Sequence, residues 1–216
     1  MTEPEPPSHG VPRFILLLVL LVGIVLLTLA EARMPYLPGD LPLARGIQTL
    51  GPVSNALAQW ITKSAETPWS FFLLGLAVLG ARAISGWRGA LLAFPVFFGL
   101  WLFGIWLSPL IAQPRPSPDL IGVVGRPRGF SFPSIFGLIY ASTFGYIALL
   151  ALARSRGPAT ILISVACALV LVVGASARIV LGAHWPSDLW VAYLMGAFWI
   201  QLLLPLSRGD AIVTRS

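Results

Sequence analysis

The stretch S-A-R-I-V-L-G-A-H-W-P-S-D, Ser176 to Asp188, places an arginine, a histidine and an aspartate at R-x5-H-x3-D. These are the side chains needed to hold a phosphate and attack it. Pro186 suits the first turn of a helix, which puts Asp188 in that same turn, where a carboxylate is stabilised. His184 stands four residues earlier, so the carboxylate can accept one imidazole N–H and leave the other ring nitrogen free as nucleophile or base. Gly182 permits a close backbone approach to a ligand. Each residue also has a plainer role. An arginine at the end of an apolar helix snorkels to headgroups, a loop histidine is a polar group, and an aspartate after proline caps a helix.

A second stretch carries compatible chemistry. The segment 108–134 reads S-P-L-I-A-Q-P-R-P-S-P-D-L-I-G-V-V-G-R-P-R-G-F-S-F-P-S and holds Arg115, Arg126 and Arg128. It ends at Pro133-Ser134, a helix start whose unpaired backbone N–H groups suit an anion. Arginines from both stretches can grip one phosphate bidentately if the chain brings them together. For Arg126 and Arg128 the alternative is contact with lipid headgroups.

The elements that must do so are membrane spans. The 216 residues are 57% hydrophobic and 10% charged, with a mean hydropathy of +0.86, far from soluble averages. The expectation is an all-α, polytopic six-helix bundle spanning Phe14–Ala30, Trp69–Ile84, Gly89–Leu107, Ile135–Ala153, Thr160–Ala177 and Leu189–Leu206. It occupies 14–206, between a disordered tail at 1–13 and a second tail at 207–216. The A-E-A at 30–32 resembles a signal-peptidase site, but the apolar run before it is long for a signal peptide and is read as a retained anchor. Within 31–67, Leu43, Ile47 and Leu50, then Leu57, Trp60 and Ile61, fall on helical faces, with Ser54 an N-cap. Two amphipathic helices on the membrane surface are expected.

Charge sets the orientation. The turns at 85–88 and 154–158 are flanked by Arg82, Arg88, Arg154 and Arg156, which assigns them and both tails to the cytoplasm. The connections 31–67, 108–134 and 178–188 then share the opposite face. The net charge of +6 is carried mostly by arginines at segment ends, with Lys63 the only lysine. This pattern suits a bilayer surface and gives no basic helix for nucleic acid. Cys167 is the sole cysteine, so a disulfide framework and a thiolate metal site are excluded.

With these residues in place the chain resembles the type 2 phosphatidic acid phosphatase superfamily, the membrane lipid-phosphate phosphatases related to vanadium haloperoxidases. Its signatures are K-x6-R-P, P-S-G-H and S-R-x5-H-x3-D. Arg115-Pro116 matches the end of the first, F-S-F-P-S at 130–134 the approach to the second, and Arg178, His184 and Asp188 the third. The resemblance covers roughly 40–206. It implies a nucleophilic His184 oriented by Asp188, and phosphate oxygens held by Arg115, Arg178 and the Ser134 region. It also implies no metal or other cofactor, and a site facing the periplasm or exterior of a bacterial inner or plasma membrane. The implied partner is a phosphorylated lipid, either an isoprenoid diphosphate or a phosphatidate-like molecule.

Three departures bear on activity. Ser108 stands where the first motif has lysine, and the third motif opens A-R, with Ser176 displaced by one. Pro133-Ser134-Ile135-Phe136 replaces P-S-G-H, so the histidine that protonates the leaving group is missing. Lys63 lies far off in sequence, and the only other histidine is His9. A general acid contributes about 10²–10⁴-fold, most for a poor leaving oxygen. Two functions therefore stand open: a lipid phosphate or diphosphate hydrolase acting through His184, and an inactive relative that binds or translocates a phosphorylated lipid. A channel or ion-coupled transporter fits less well, since no ionisable residue falls near the middle of a span.

Overall fold

The computed structural model describes residues 12–51, 53–125 and 127–207, and every regular element among them is helical. Arg126 and most of both tails lie outside these residues. In chain order the helices are α1 (Arg13–Glu31), α2 (Asp40–Leu50), α3 (Asn55–Ser64), α4 (Ser70–Ile111), α5 (Ile135–Tyr140), α6 (Tyr146–Arg154), α7 (Pro158–Val180) and α8 (Pro186–Leu203). A π-helical turn, Ala141–Gly145, joins α5 to α6 into one span.

Five elements among the described residues are long and apolar enough to cross a membrane, and one of them holds two of the six expected spans. The second and third expected spans are one 42-residue element, α4, interrupted only at Gly86 (φ 72°, ψ −161°). A straight helix of that length runs about 63 Å. Yet Glu66, just before α4, and Arg115, just after it, line one cavity. The chain therefore doubles back at Gly86, whose positive φ a side chain would disfavour.

The long helices pack through small residues, as apolar helices in a lipid setting do. A methyl at Gly196 of α8 would lie 2.5 Å from the Ala141 side chain, and one at Gly137 of α5 2.9 Å from that of Ala192. Around this contact Phe97, Leu138, Tyr146, Val191 and Ile200 form the main core. A second cluster of Phe136, Tyr140, Ile179, Trp185 and Leu189 lies beside the motif residues. The helix α1 packs along α8, where Arg13 donates to the terminal carbonyls of Gln201 and Leu202. Glu31, at its other end, accepts from Gln113 and is 1% exposed. The middle residue of the A-E-A is thus a buried polar contact.

The two amphipathic helices brace the connections. Ser54 caps α3 by accepting from Leu57 N at 3.3 Å. Along α2, Arg45 donates to Leu120 O, and Gln48 exchanges hydrogen bonds with Gly122 and donates to Ile179 O at 3.0 Å. Asp40 opens α2 and is buried. Its Oδ1 accepts from Ser187 N at 2.9 Å and its Oδ2 from Ser187 Oγ at 2.7 Å. Hydrogen bonds to a charged group contribute about 1.5–3 kcal/mol each, so this pair pins the first turn of α8 to α2.

Candidate active site

The motif histidine sits where α7 ends and α8 begins. Pro186 takes the first position of α8, and Asp188 reaches back to accept from Trp185 N at 2.8 Å, as an acid at the third helical position does. His184 is 3% exposed. Its Nδ1 lies 2.9 Å from the Ser131 carbonyl and 3.4 Å from Asp188 Oδ2. Asp188 Oδ2 also accepts from the Ser131 hydroxyl. The carbonyl of Ser131 is therefore the nearer acceptor, and Asp188 supports the ring from behind.

Electrostatics fix the protonation state of the ring. Burial lowers the His184 pKa well below its usual value, the Arg178 and Arg115 charges lower it further, and the Ser131 carbonyl opposes them. A neutral ring with its proton on Nδ1, facing Ser131, leaves a lone pair on Nε2. That nitrogen lies 3.4 Å from an Arg115 terminal nitrogen.

The two arginines are held differently. Arg115 Nε donates to the carbonyls of Arg128 and Gly129, each at 3.1 Å, and its terminal nitrogens donate to Arg128 O and Ala183 O. A guanidinium has five N–H donors, and the second hydrogen of the terminal nitrogen on Ala183 O faces His184 Nε2, so one hydrogen, on the other terminal nitrogen, remains for a ligand. Burial lowers the pKa of Arg115 from the usual guanidinium value, and the Asp188 charge counters this. Arg178 donates to Thr62 Oγ1 at 3.1 Å and lies 5.4 Å from the Phe136 ring centroid. Its Nε is buried with no hydrogen-bond partner among the described residues.

Both arginines and His184 line a cavity of about 170 Å³ together with Thr62, Glu66 and Phe136. Arg115 and Arg178 also line a wider cavity of about 490 Å³, with Lys63, Glu66 and Arg128. Lys63, far away in sequence, thus reaches the site because α3 packs on α7.

Two expected phosphate ligands do not face these cavities. Ser134 is fully buried, and its hydroxyl accepts from Gly137 N at 3.1 Å, capping α5. Gly182 (φ +61°) makes its close approach to protein backbone, since a methyl there would lie 2.1 Å from Gly122 O. Of the other expected ligands, Arg128 lines the wider cavity, and Arg126 is outside the described residues. Ser131, Asp40, Thr62 and Glu66 carried no sequence signal, because their roles come from neighbours distant along the chain.

His184, Arg115 and Arg178 thus share one cavity of a helical bundle. The chain matches the crystal structure of a transmembrane PAP2-type phosphatidylglycerolphosphate phosphatase from Bacillus subtilis. The TM-score is 0.67 and the identity 19%, over 87% of this chain and 93% of that one. The chain shares the fold of that phosphatase, and the protein is an integral membrane protein. No family model and no curated protein sequence matches the chain.

Proposed function

We propose that this protein hydrolyses phosphorylated membrane lipids, with His184 Nε2 attacking phosphorus and Arg115 and Arg178 holding the phosphate oxygens. The observation that carries this reading is an imidazole oriented by the Ser131 carbonyl on a cavity with two guanidiniums. A site for binding alone has no use for that orientation. Arg178 Nε is a buried donor awaiting an acceptor, and an anion in the cavity would supply one. The site faces the periplasm or exterior, where the lipid headgroup reaches it from the outer leaflet.

Phe136 shapes substrate choice. Cleaving a lipid monophosphate expels an alkoxide, whose conjugate acid has a pKa near that of bulk water, about 15–16. Cleaving a diphosphate expels a phosphate monoester with a second pKa of about 6, which leaves unprotonated. With phenylalanine in the acid position, a diphosphate such as an isoprenoid carrier diphosphate is the favoured substrate. Lys63 and Arg128, on the wider cavity, are placed for the second phosphate. The same Phe136 supports a second reading, in which the protein binds or translocates a phosphorylated lipid without turnover.

Phosphate release by purified protein from lipid monophosphates and diphosphates, beside His184→Ala, separates the two readings. Release that needs His184 establishes the hydrolase. Binding of the same lipids without release establishes the second.

A further inference from the structure

Glu31 is a carboxyl that the reaction does not use, yet it is 1% exposed at the end of α1. Burying such a group costs stability unless hydrogen bonds compensate, and its Oε1 has no partner among the described residues. Stability alone is therefore a poor account of its position. Its other oxygen accepts from Gln113 Nε2, and Gln113 is equally buried. Gln113 belongs to the 112–134 connection, which has no regular element to fix its path. Its carbonyl accepts from Ser131 N at 2.9 Å. Ser131, fully buried, turns its own carbonyl to His184 Nδ1 at 2.9 Å, nearer than the 3.4 Å to Asp188 Oδ2. A continuous run of hydrogen bonds thus leads from the last residue of α1 to the ring on the cavity.

We propose that Glu31 is a positioning residue for His184. It fixes Gln113, Gln113 fixes the Ser131 carbonyl, and that carbonyl keeps the ring proton on Nδ1 and Nε2 toward the cavity. The effect on turnover rests on the hydrolase reading above, whereas the effect on the ring does not. The A-E-A stretch is accordingly the end of a strut, and α1 serves the site as well as the bilayer. Arg115 and Arg178 are held by other contacts, with Arg128, Gly129, Ala183 and Thr62, so the phosphate grip does not pass through Glu31. Losing Glu31 should slow the chemical step and spare affinity for substrate.

Full-length variants in detergent, assayed on dodecyl diphosphate, test this. Glu31→Leu and Gln113→Met cut the same link from its two ends, so either carries the test if the other fails to fold. Each should lower kcat about 10–10²-fold, with KM within about threefold of wild type. Glu31→Gln keeps an oxygen for Gln113 Nε2 and should keep kcat within about threefold of wild type. Arg13→Ala loosens α1 from α8 at the opposite end of the helix and should leave kcat unchanged. Combining Glu31→Leu with Gln113→Met removes both buried partners, which should restore stability but not kcat. The ring gives a readout independent of turnover. The chain has two histidines, and ¹⁵N spectra of histidine-labelled protein, assigned with His184→Gln, should show one Nδ1–H tautomer in wild type. Both link variants should show a mixture of tautomers. Wild-type kcat in the link variants, or an unchanged Nδ1–H signal there, would overturn the proposal. So would losses in Glu31→Gln or Arg13→Ala equal to that in Glu31→Leu. Wild type that releases no more phosphate than His184→Ala would remove the hydrolase reading, and the ¹⁵N spectra would then decide by themselves whether Glu31 holds the ring.

Discussion

The Arg178 guanidinium lies 5.4 Å from the centroid of Phe136, and Phe136 in turn stacks on Tyr140 with centroids 4.1 Å apart. The phenylalanine that stands in the acid position of the expected motif thus supports the Arg178 guanidinium through its ring face. Such a contact is worth about 0.5–2 kcal/mol, more when desolvated.

Histidine at that position would retain an aromatic face and add a proton donor on the same cavity wall. We expect Ile135→Gly with Phe136→His to raise dodecyl phosphate hydrolysis. A rate that stays at the wild-type level in protein that still binds lipid phosphate would show that the cavity cannot present an acid from α5.

Arg178 gives a separable test of binding. Arg178→Ala removes a charge-assisted contact worth about 1.5–3 kcal/mol, so affinity for a phosphorylated lipid should fall roughly 10–150-fold. Lysine at 178 should restore only part, because an ammonium cannot offer the planar fork. Equilibrium binding to vesicles carrying dodecyl phosphate measures both. Unchanged affinity in the alanine variant would assign Arg178 to the headgroup region.

The buried His184 predicts an acid-sensitive fold. Its native pKa is depressed by burial and by Arg178 and Arg115, while the unfolded histidine titrates near the ordinary value, about 6.5. Below that value the unfolded chain takes up a proton that the native ring refuses. Stability should therefore fall by up to about 1.4 kcal/mol per unit as pH drops from about 6.5 towards the native pKa, and His184 should contribute no slope above about 6.5. Thermal unfolding in detergent should show wild type losing more than His184→Gln between pH 7.5 and pH 5.5. Parallel losses would mean that the ring titrates normally.

Orientation in the membrane follows from the arginine-flanked turns. In a Cys167→Ala background, cysteines placed at Gly125 and at Arg156 should react with an impermeant reagent from opposite sides of the membrane. Reaction from the same side would contradict the shared extracytoplasmic face.

Much of this was legible in the sequence because it depended on neighbours along the chain. The R-x5-H-x3-D spacing put His184 beside the first turn of α8, Pro186 opened that helix, and Ser54 capped α3 as its type suggested. What depended on chain reversal was not legible. Gly86 fell within the short turn at 85–88, and its positive-φ backbone breaks α4 between two expected spans. Lys63 looked remote, and reaches the wider cavity through the packing of α3 on α7. Gly182 and Ser134 have the residue types of ligand contacts, but Gly122 and Gly137 occupy the space and the hydroxyl. Residue type alone does not tell which partner arrives first.

Arg115 is both clamp and wall. It fastens the carbonyls of Arg128, Gly129 and Ala183 to one guanidinium, joining two connections that share no regular secondary structure. Deleting it would release those loops at the moment it removed a charge, so an inactive Arg115→Ala protein would say nothing about phosphate. The informative experiment there is the reverse one. Free guanidinium added to the truncated variant can replace a missing charge but cannot re-tie two strands of backbone. Rescue would mean the cation matters most to turnover, and failure that the knot does.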